Sequence, residues 1–212
     1  MRFYRYHGRV EAARQLAPRV RERLRDLSDA VVISIPRGGV VVGVTLAREL
    51  GLPHDIVITR KVWEEHRPEW AVGAVTESGK PIWDKARARR ERPAFLRALV
   101  KKQQAEARRR LRAFRGRKGP RDVKGKTVIL ADDGIARGWT LLAAVVSLKR
   151  EGARRVIVAV PVASRAGARL LRTRADMVIA GYVPKRFHAI GRYYHWFAQV
   201  SDKRTKALLG TK

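Results

Sequence analysis

The stretch Thr127-Val128-Ile129-Leu130-Ala131-Asp132-Asp133-Gly134-Ile135-Ala136-Arg137-Gly138-Trp139-Thr140 decides how the rest of the chain is read. Its first five residues are a short, unbroken apolar run, the pattern of a strand buried on both faces. Two adjacent carboxylates end the run, a turn containing two glycines follows, and from about residue 140 to 150 the apolar spacing becomes helical. The backbone N–H groups of such a turn, with the positive end of a helix dipole behind them, form a phosphate cradle. Thr140 adds a hydroxyl donor. Asp132 and Asp133 cannot themselves hold a phosphate; beside one, they suit hydrogen bonds from sugar hydroxyls or water-mediated contact with magnesium. The glycine-lysine-serine/threonine ending of a nucleotide-binding P-loop is missing. The plainer alternative is a strand-to-helix turn with an Asp N-cap. Two neighbouring acids in a chain with only 19 acidic residues make it the weaker reading.

Further apolar runs lie on either side. Residues 30–35, 55–59, 155–160 and 176–180 read as strands, and residues 71–76 and 80–83 as a small hairpin around Ser78-Gly79. Residues 9–27, 40–50 and 165–173 have helical spacing; Pro18 predicts a break or kink in the first, and Gly51 closes the second. Strands alternating with helices make an α/β fold with a mostly parallel, five-stranded sheet covered on both faces. Ligands of such sheets bind beyond the carboxyl ends of the strands, where Pro36-Arg37-Gly38-Gly39 is the second loop of unusual composition. The aromatic tail, Phe187 and then Tyr193-Tyr194-His195-Trp196-Phe197, falls outside the alternation and is expected to pack across one end of the sheet.

Composition narrows the function classes. The 212 residues carry 48 Lys/Arg against 19 Asp/Glu, a formal net charge of +29, so anionic partners are expected. With no cysteine there is no disulfide framework, thiolate metal site or cysteine nucleophile, and the five histidines show no metal-ligand spacing. No apolar run is long enough to span a bilayer and no leader pattern opens the chain, which reads as one soluble, cytoplasmic domain over residues 1–212 with no membrane partner. The charge is uneven: residues 85–126 hold 18 Lys/Arg and three acids, Glu91, Glu106 and Asp122. Within this segment Pro93 suits a first helical turn, and Phe95, Leu96, Leu99, Val100, Leu111 and Phe114 form an apolar stripe. The expected result is a basic helical excursion at 85–115, docked by one face. Contact with nucleic acid is the less favoured alternative use of its charge.

Residues 128–140 resemble the phosphoribosyl-pyrophosphate signature of the type I phosphoribosyltransferases: four apolar residues, two acids, then a loop ending in glycine, any residue and threonine. Ile35-Pro36-Arg37-Gly38-Gly39 resembles that family's pyrophosphate loop, in which a non-proline cis peptide commonly exposes amides to the diphosphate. Arg60-Lys61, Pro68-Glu69 with Gly73-Ala74-Val75, Pro161-Val162-Ala163 and the tail from Phe187 to Asp202 are similar to a poorly characterised subgroup.

The resemblance implies magnesium-dependent transfer of a phosphoribosyl group from phosphoribosyl pyrophosphate to an unidentified nitrogenous base. Asp132 and Asp133 would hold the ribose hydroxyls; Ala136, Arg137, Gly138, Trp139 and Thr140 the 5-phosphate; and Pro36, Arg37, Gly38, Gly39 and Lys61 the pyrophosphate. Asp132, Asp133 and Lys61 would be the catalytic set, with no direct protein ligand to the magnesium. A C-terminal hood at about 182–212 would offer Phe187, Tyr193, Tyr194 or Trp196 to the base. A homodimer is compatible with the resemblance. Three departures stand out: Arg137 replaces the usual threonine, Trp139 a small residue, and Gly134 an apolar one. Arg137 as a charged phosphate ligand, a site for another phosphorylated nucleoside, and a catalytically altered fold acting as a nucleotide sensor or nucleic-acid-binding protein all stay open.

Overall fold

The computed structural model describes residues 4–67, 70–116, 118–119 and 121–211; Pro68-Glu69 of the subgroup pattern lies outside them. In chain order the elements are α1 (Arg9–Arg23), β1 (Ala30–Ser34), α2 (Gly38–Leu50), β2 (His54–Ile56), β3 (Thr59–Trp63), β4 (Ala71–Thr76), β5 (Ile82–Trp83), α3 (Lys85–Ala88) and α4 (Pro93–Arg115). There follow β6 (Thr127–Ala131), α5 (Trp139–Arg150), β7 (Arg155–Val162), α6 (Arg165–Leu171), β8 (Met177–Tyr182), a 3-10 turn at Ile190–Tyr193, and α7 (Asp202–Leu209).

The main sheet has the order β2-β1-β6-β7-β8, and every neighbouring pair in it is parallel. Its unbroken apolar strands follow from cover on both faces. Val31, Ile33, Val128, Leu130, Val156 and Val158 point to one side, where Leu141, Val145 and Leu148 of α5 meet them. The alternate residues Val32, Ile129, Ala131, Ile157 and Ala159 point to the other, against Leu16 and Val20 of α1 and Leu46 of α2. The chain leaves β1 for β2 on one side, whereas β6 lies on the other. The crevice beyond the ends of β1 and β6 is therefore a switch point, where open α/β sheets bind ligands.

Two expectations need correction. Helix α1 runs through Pro18 unbroken and stops at Arg23 instead of 27. Pro18 is exposed, so the hydrogen bond its ring removes is lost on the water side, while Leu16, Ala17 and Val20 stay docked. The expected strand at 55–59 is divided: β2 ends at Ile56, and Thr59 opens a second, antiparallel sheet of order β3-β4-β5. Ile56, Val57 and Ile58 are all buried across the division, so the apolar run is continuous although the backbone changes sheets. The expected hairpin is β4 and β5, pairing Gly73 with Trp83 and Ala74 with Ile82.

Helix α4 begins at Pro93 and docks one face, as its stripe predicts. Leu96 and Leu99 pack on Val62, Val72 and Val75 of the small sheet, and Ala107 and Phe114 on Val40, Ile56 and Ile58. The tail after β8 returns to the start of the chain, where Tyr194 pairs with Tyr6 and packs with Ala12 and Val162.

Candidate functional site

Register brings the two loops together. Ser34 and Ala131, the last residues of β1 and β6, are paired neighbours, so Pro36–Gly39 and Asp132–Thr140 emerge side by side. The Pro36–Arg37 peptide is cis, as expected from the resemblance, and α2 starts at the next residue, Gly38. Both glycines of this loop face the acids. A Cβ on Gly39 would lie 2.7 Å from an Asp132 carboxylate oxygen, and one on Gly38 would collide with the Asp133 carboxylate. In the other loop Gly138 has φ 86°, the left-handed conformation that turns the chain into α5. That loop is fixed from beneath: Ile135 pairs with Ala163, and the Ser164 hydroxyl donates to the Ala136 carbonyl.

Two adjoining cavities open here, of about 430 and 340 Å³, and share Lys61, Ala71, Asp132, Asp133 and Thr140 in their walls. Pro36, Arg37, Gly38, Arg60 and Trp63 line only the first, and Gly134 to Trp139 with Ile190 only the second. The structure thus collects one cleft from residues as distant in sequence as Pro36, Lys61 and Asp132. Arg37 donates to Asp202 of α7 at 3.2 Å, Arg60 to the buried Gln103 at 2.9 Å, and Lys61 is exposed at the mouth.

Burial pushes Asp132 well above the usual carboxylate range, and the neighbouring Asp133 adds to the shift. Burial raises Asp133 as well, opposed by a cation that sequence reading missed: Arg9 of α1. Its Nε donates to Asp133 Oδ2 at 2.8 Å, with the two side chains only 10% and 14% exposed. The same guanidinium donates to the Ala198 carbonyl and lies 3.8 Å from the centre of the Phe197 ring. Tyr194 donates its hydroxyl to the Asp133 carbonyl at 2.6 Å. One acid is thereby held from the start and from the end of the chain. Among the described residues no group of three or more His, Asp or Glu side chains could hold a metal. Two carboxylates alone fit magnesium only as an ion that arrives on a diphosphate and keeps most of its ligands as water and phosphate.

The three departures from the family pattern have definite places. Arg137 lies with its guanidinium 4.3 Å from the centre of the Trp70 ring, and Arg87 lies 4.4 Å from the same ring. Trp139 lines the cleft but also packs onto the hydrophobic core. Gly134 makes room for the tail: a Cβ there would stand 2.8 Å from a methyl of Ile190. The hood expectation needs correction. Tyr194 is 1% exposed and packed by Tyr6 and Phe197, which leaves no face for a base. Phe187 and Tyr193 stack on each other outside the cleft walls, and Trp196, 67% exposed, borders a different groove. The tail residue at the cleft is Ile190. Nothing in spacing or composition marks Arg9, Trp70 or Ile190.

The sequence profile of the phosphoribosyl transferase domain matches residues 2–188. The chain belongs to the phosphoribosyl transferase domain family. It is 35% identical over 208 residues to a Mycobacterium tuberculosis protein provisionally named as a phosphoribosyl transferase; the match covers 96% of this chain and 46% of that protein, so the chain spans about half the length of this relative. The crystal structure of TT1426 from Thermus thermophilus superposes with a TM-score of 0.83 at 38% identity, covering 97% of each chain. A hypothetical protein from Neisseria gonorrhoeae, crystallised with ppGpp, shares the fold at a TM-score of 0.50 and 18% identity, over 87% of this chain and 85% of that one. The type I phosphoribosyltransferase fold is therefore the frame in which the cleft is placed.

Proposed function

We propose that this chain transfers a phosphoribosyl group from phosphoribosyl pyrophosphate, carried with magnesium, to a nitrogenous base. The observation that carries the reading is the convergence of the Pro36–Gly39 loop and the acid-pair loop on one cleft with Lys61 at its mouth. The amides of Ala136 to Thr140 and the Thr140 hydroxyl hold the 5-phosphate at the start of α5. Asp132 and Asp133 accept hydrogen bonds from the ribose hydroxyls, and Pro36 to Gly39 with Lys61 hold the diphosphate. A ring nitrogen of the base forms the new bond to C1 as the bond from C1 to the diphosphate oxygen breaks, and the diphosphate leaves with that electron pair. The developing oxocarbenium charge lies next to the acid pair, so positioning and charge stabilisation are the protein's part. Magnesium, when bound, neutralises the departing diphosphate.

Titration calorimetry with phosphoribosyl pyrophosphate and magnesium tests the binding. A panel of purine, pyrimidine and nicotinic bases, with pyrophosphate release as readout, tests the transfer. Binding together with base-dependent release is the expected result; absence of binding at millimolar ligand overturns the reading. One observation favours a second reading without turnover: Arg137 faces Trp70, and no tail aromatic lines the cleft. Under that reading, as a nucleotide sensor or nucleic-acid-binding protein, a phosphorylated nucleoside or an oligonucleotide binds but no base promotes pyrophosphate release.

A further inference from the structure

A groove of about 520 Å³ lies between the small sheet and α4 and shares no lining residue with the cleft. Pro81, Trp83, Leu96 and Val100 supply its apolar floor, and Lys85, Arg89, Arg97 and Lys101 its rim. Among the described residues no carboxylate lines it.

The rim has a helical period. Arg97 and Lys101 are four residues apart on α4, and each stands one residue beyond a floor residue, Leu96 and Val100. A cationic row therefore runs beside an apolar row at the same pitch. Lys85 and Arg89, also four apart, come from α3 and its end. None of these four side chains has an ion pair among the described residues. Among the described residues the nearby acids are engaged elsewhere: Glu64 and Asp84 by Arg87, Glu65 by Arg92, Glu106 by Arg109 and Arg110, and Glu91 by the backbone N–H of Glu65. The groove therefore presents unneutralised cations around an apolar floor.

We propose that this groove docks an acidic amphipathic helix of a partner protein. Carboxylates four residues apart on such a helix match the pitch of Arg97 and Lys101, and its leucine-type stripe fills the floor. The lining favours a peptide over nucleic acid. Single-stranded nucleic acid needs successive aromatic platforms, whereas among the described residues this floor has one ring, Trp83, whose edge closes on Gly73.

The test is fluorescence anisotropy with a labelled synthetic peptide, leucines on one helical face and glutamates flanking them, at about 150 mM salt. Its scrambled isomer has the same composition and charge but no apolar face. The expected result is saturable binding by the wild-type chain, weakened roughly tenfold or more by scrambling and by the double substitution Arg97→Glu, Lys101→Glu. The pair Lys102→Glu, Arg112→Glu, on the same helix but outside the groove, should leave affinity within about threefold. All four positions are exposed, so the fold survives either pair. Equal binding of the scrambled peptide, equal loss in both double variants, no binding, or displacement of the peptide by a single-stranded oligonucleotide overturns the proposal.

Discussion

Asp133 lies where burial opposes its ionisation, and Arg9 is the group that offsets it. Removing one partner of a buried pair leaves the other charge uncompensated, at a cost of about 3 kcal/mol. Arg9→Ala is therefore expected to lower stability in urea melts by about that amount and to weaken phosphoribosyl pyrophosphate binding in calorimetry. Arg9→Lys should recover part of both, because a point charge cannot also span the Ala198 carbonyl and the Phe197 ring. Unchanged stability in the alanine variant would show that Asp133 takes up a proton and needs no partner. The acids, glycines and Thr140 of this site were legible because each carries a local signature in its own loop. Arg9 was not: it is one of 48 cations, 124 residues from its partner, and only the packing of α1 against the sheet brings it there.

Elements were legible where burial is uniform along them and illegible where the backbone turns under a constant side-chain pattern. The strands of the main sheet read from apolar runs because both faces are covered. The division between β2 and β3 did not, since Ile56, Val57 and Ile58 stay buried while the hydrogen bonding changes direction: Val57 donates to Ser34 in the main sheet, and Ile58 to the Glu77 carboxylate. At this edge His54 of β2 bonds the buried Ser34 of β1 at 2.8 Å, under Gly43 of α2. Burial pushes the imidazole down to about 4, with Asp55 opposing the shift and Lys118 adding to it. An unfolded histidine titrates near 6.5, so between about pH 6.5 and 4 the unfolded chain binds a proton that the native chain refuses. Stability then falls as pH falls across that window, by up to about 3 kcal/mol, and levels off below it. Urea midpoints of wild type and His54→Gln across the window check this. The glutamine variant should have a shallower slope, and parallel curves would show that His54 carries none of the dependence.

For the whole molecule the question is what a net charge of +29 does to a folded chain. Part of the basic segment is already engaged internally: Arg115 pairs with Asp55, Arg121 with Glu77 and Glu151, and Arg92 with Glu65. The pair of Arg121 with Glu77 is nearly inaccessible to water, at 6% and 4% exposure, and salt screens it little. Exposed pairs such as Arg109 with Glu106 contribute little, so their screening loses little. The remaining excess cations repel one another over the surface, and that repulsion is the part most sensitive to salt. Added sodium chloride is therefore expected to raise the melting temperature, steeply up to about 0.15 M and little beyond, as the Debye length falls below about 8 Å. Calorimetric scans across a salt series read the sign directly. A melting temperature that falls with salt would mean that ion pairs outweigh repulsion in the folded chain, and the basic segment would then be a stabilising network instead of a surface waiting for an anionic partner.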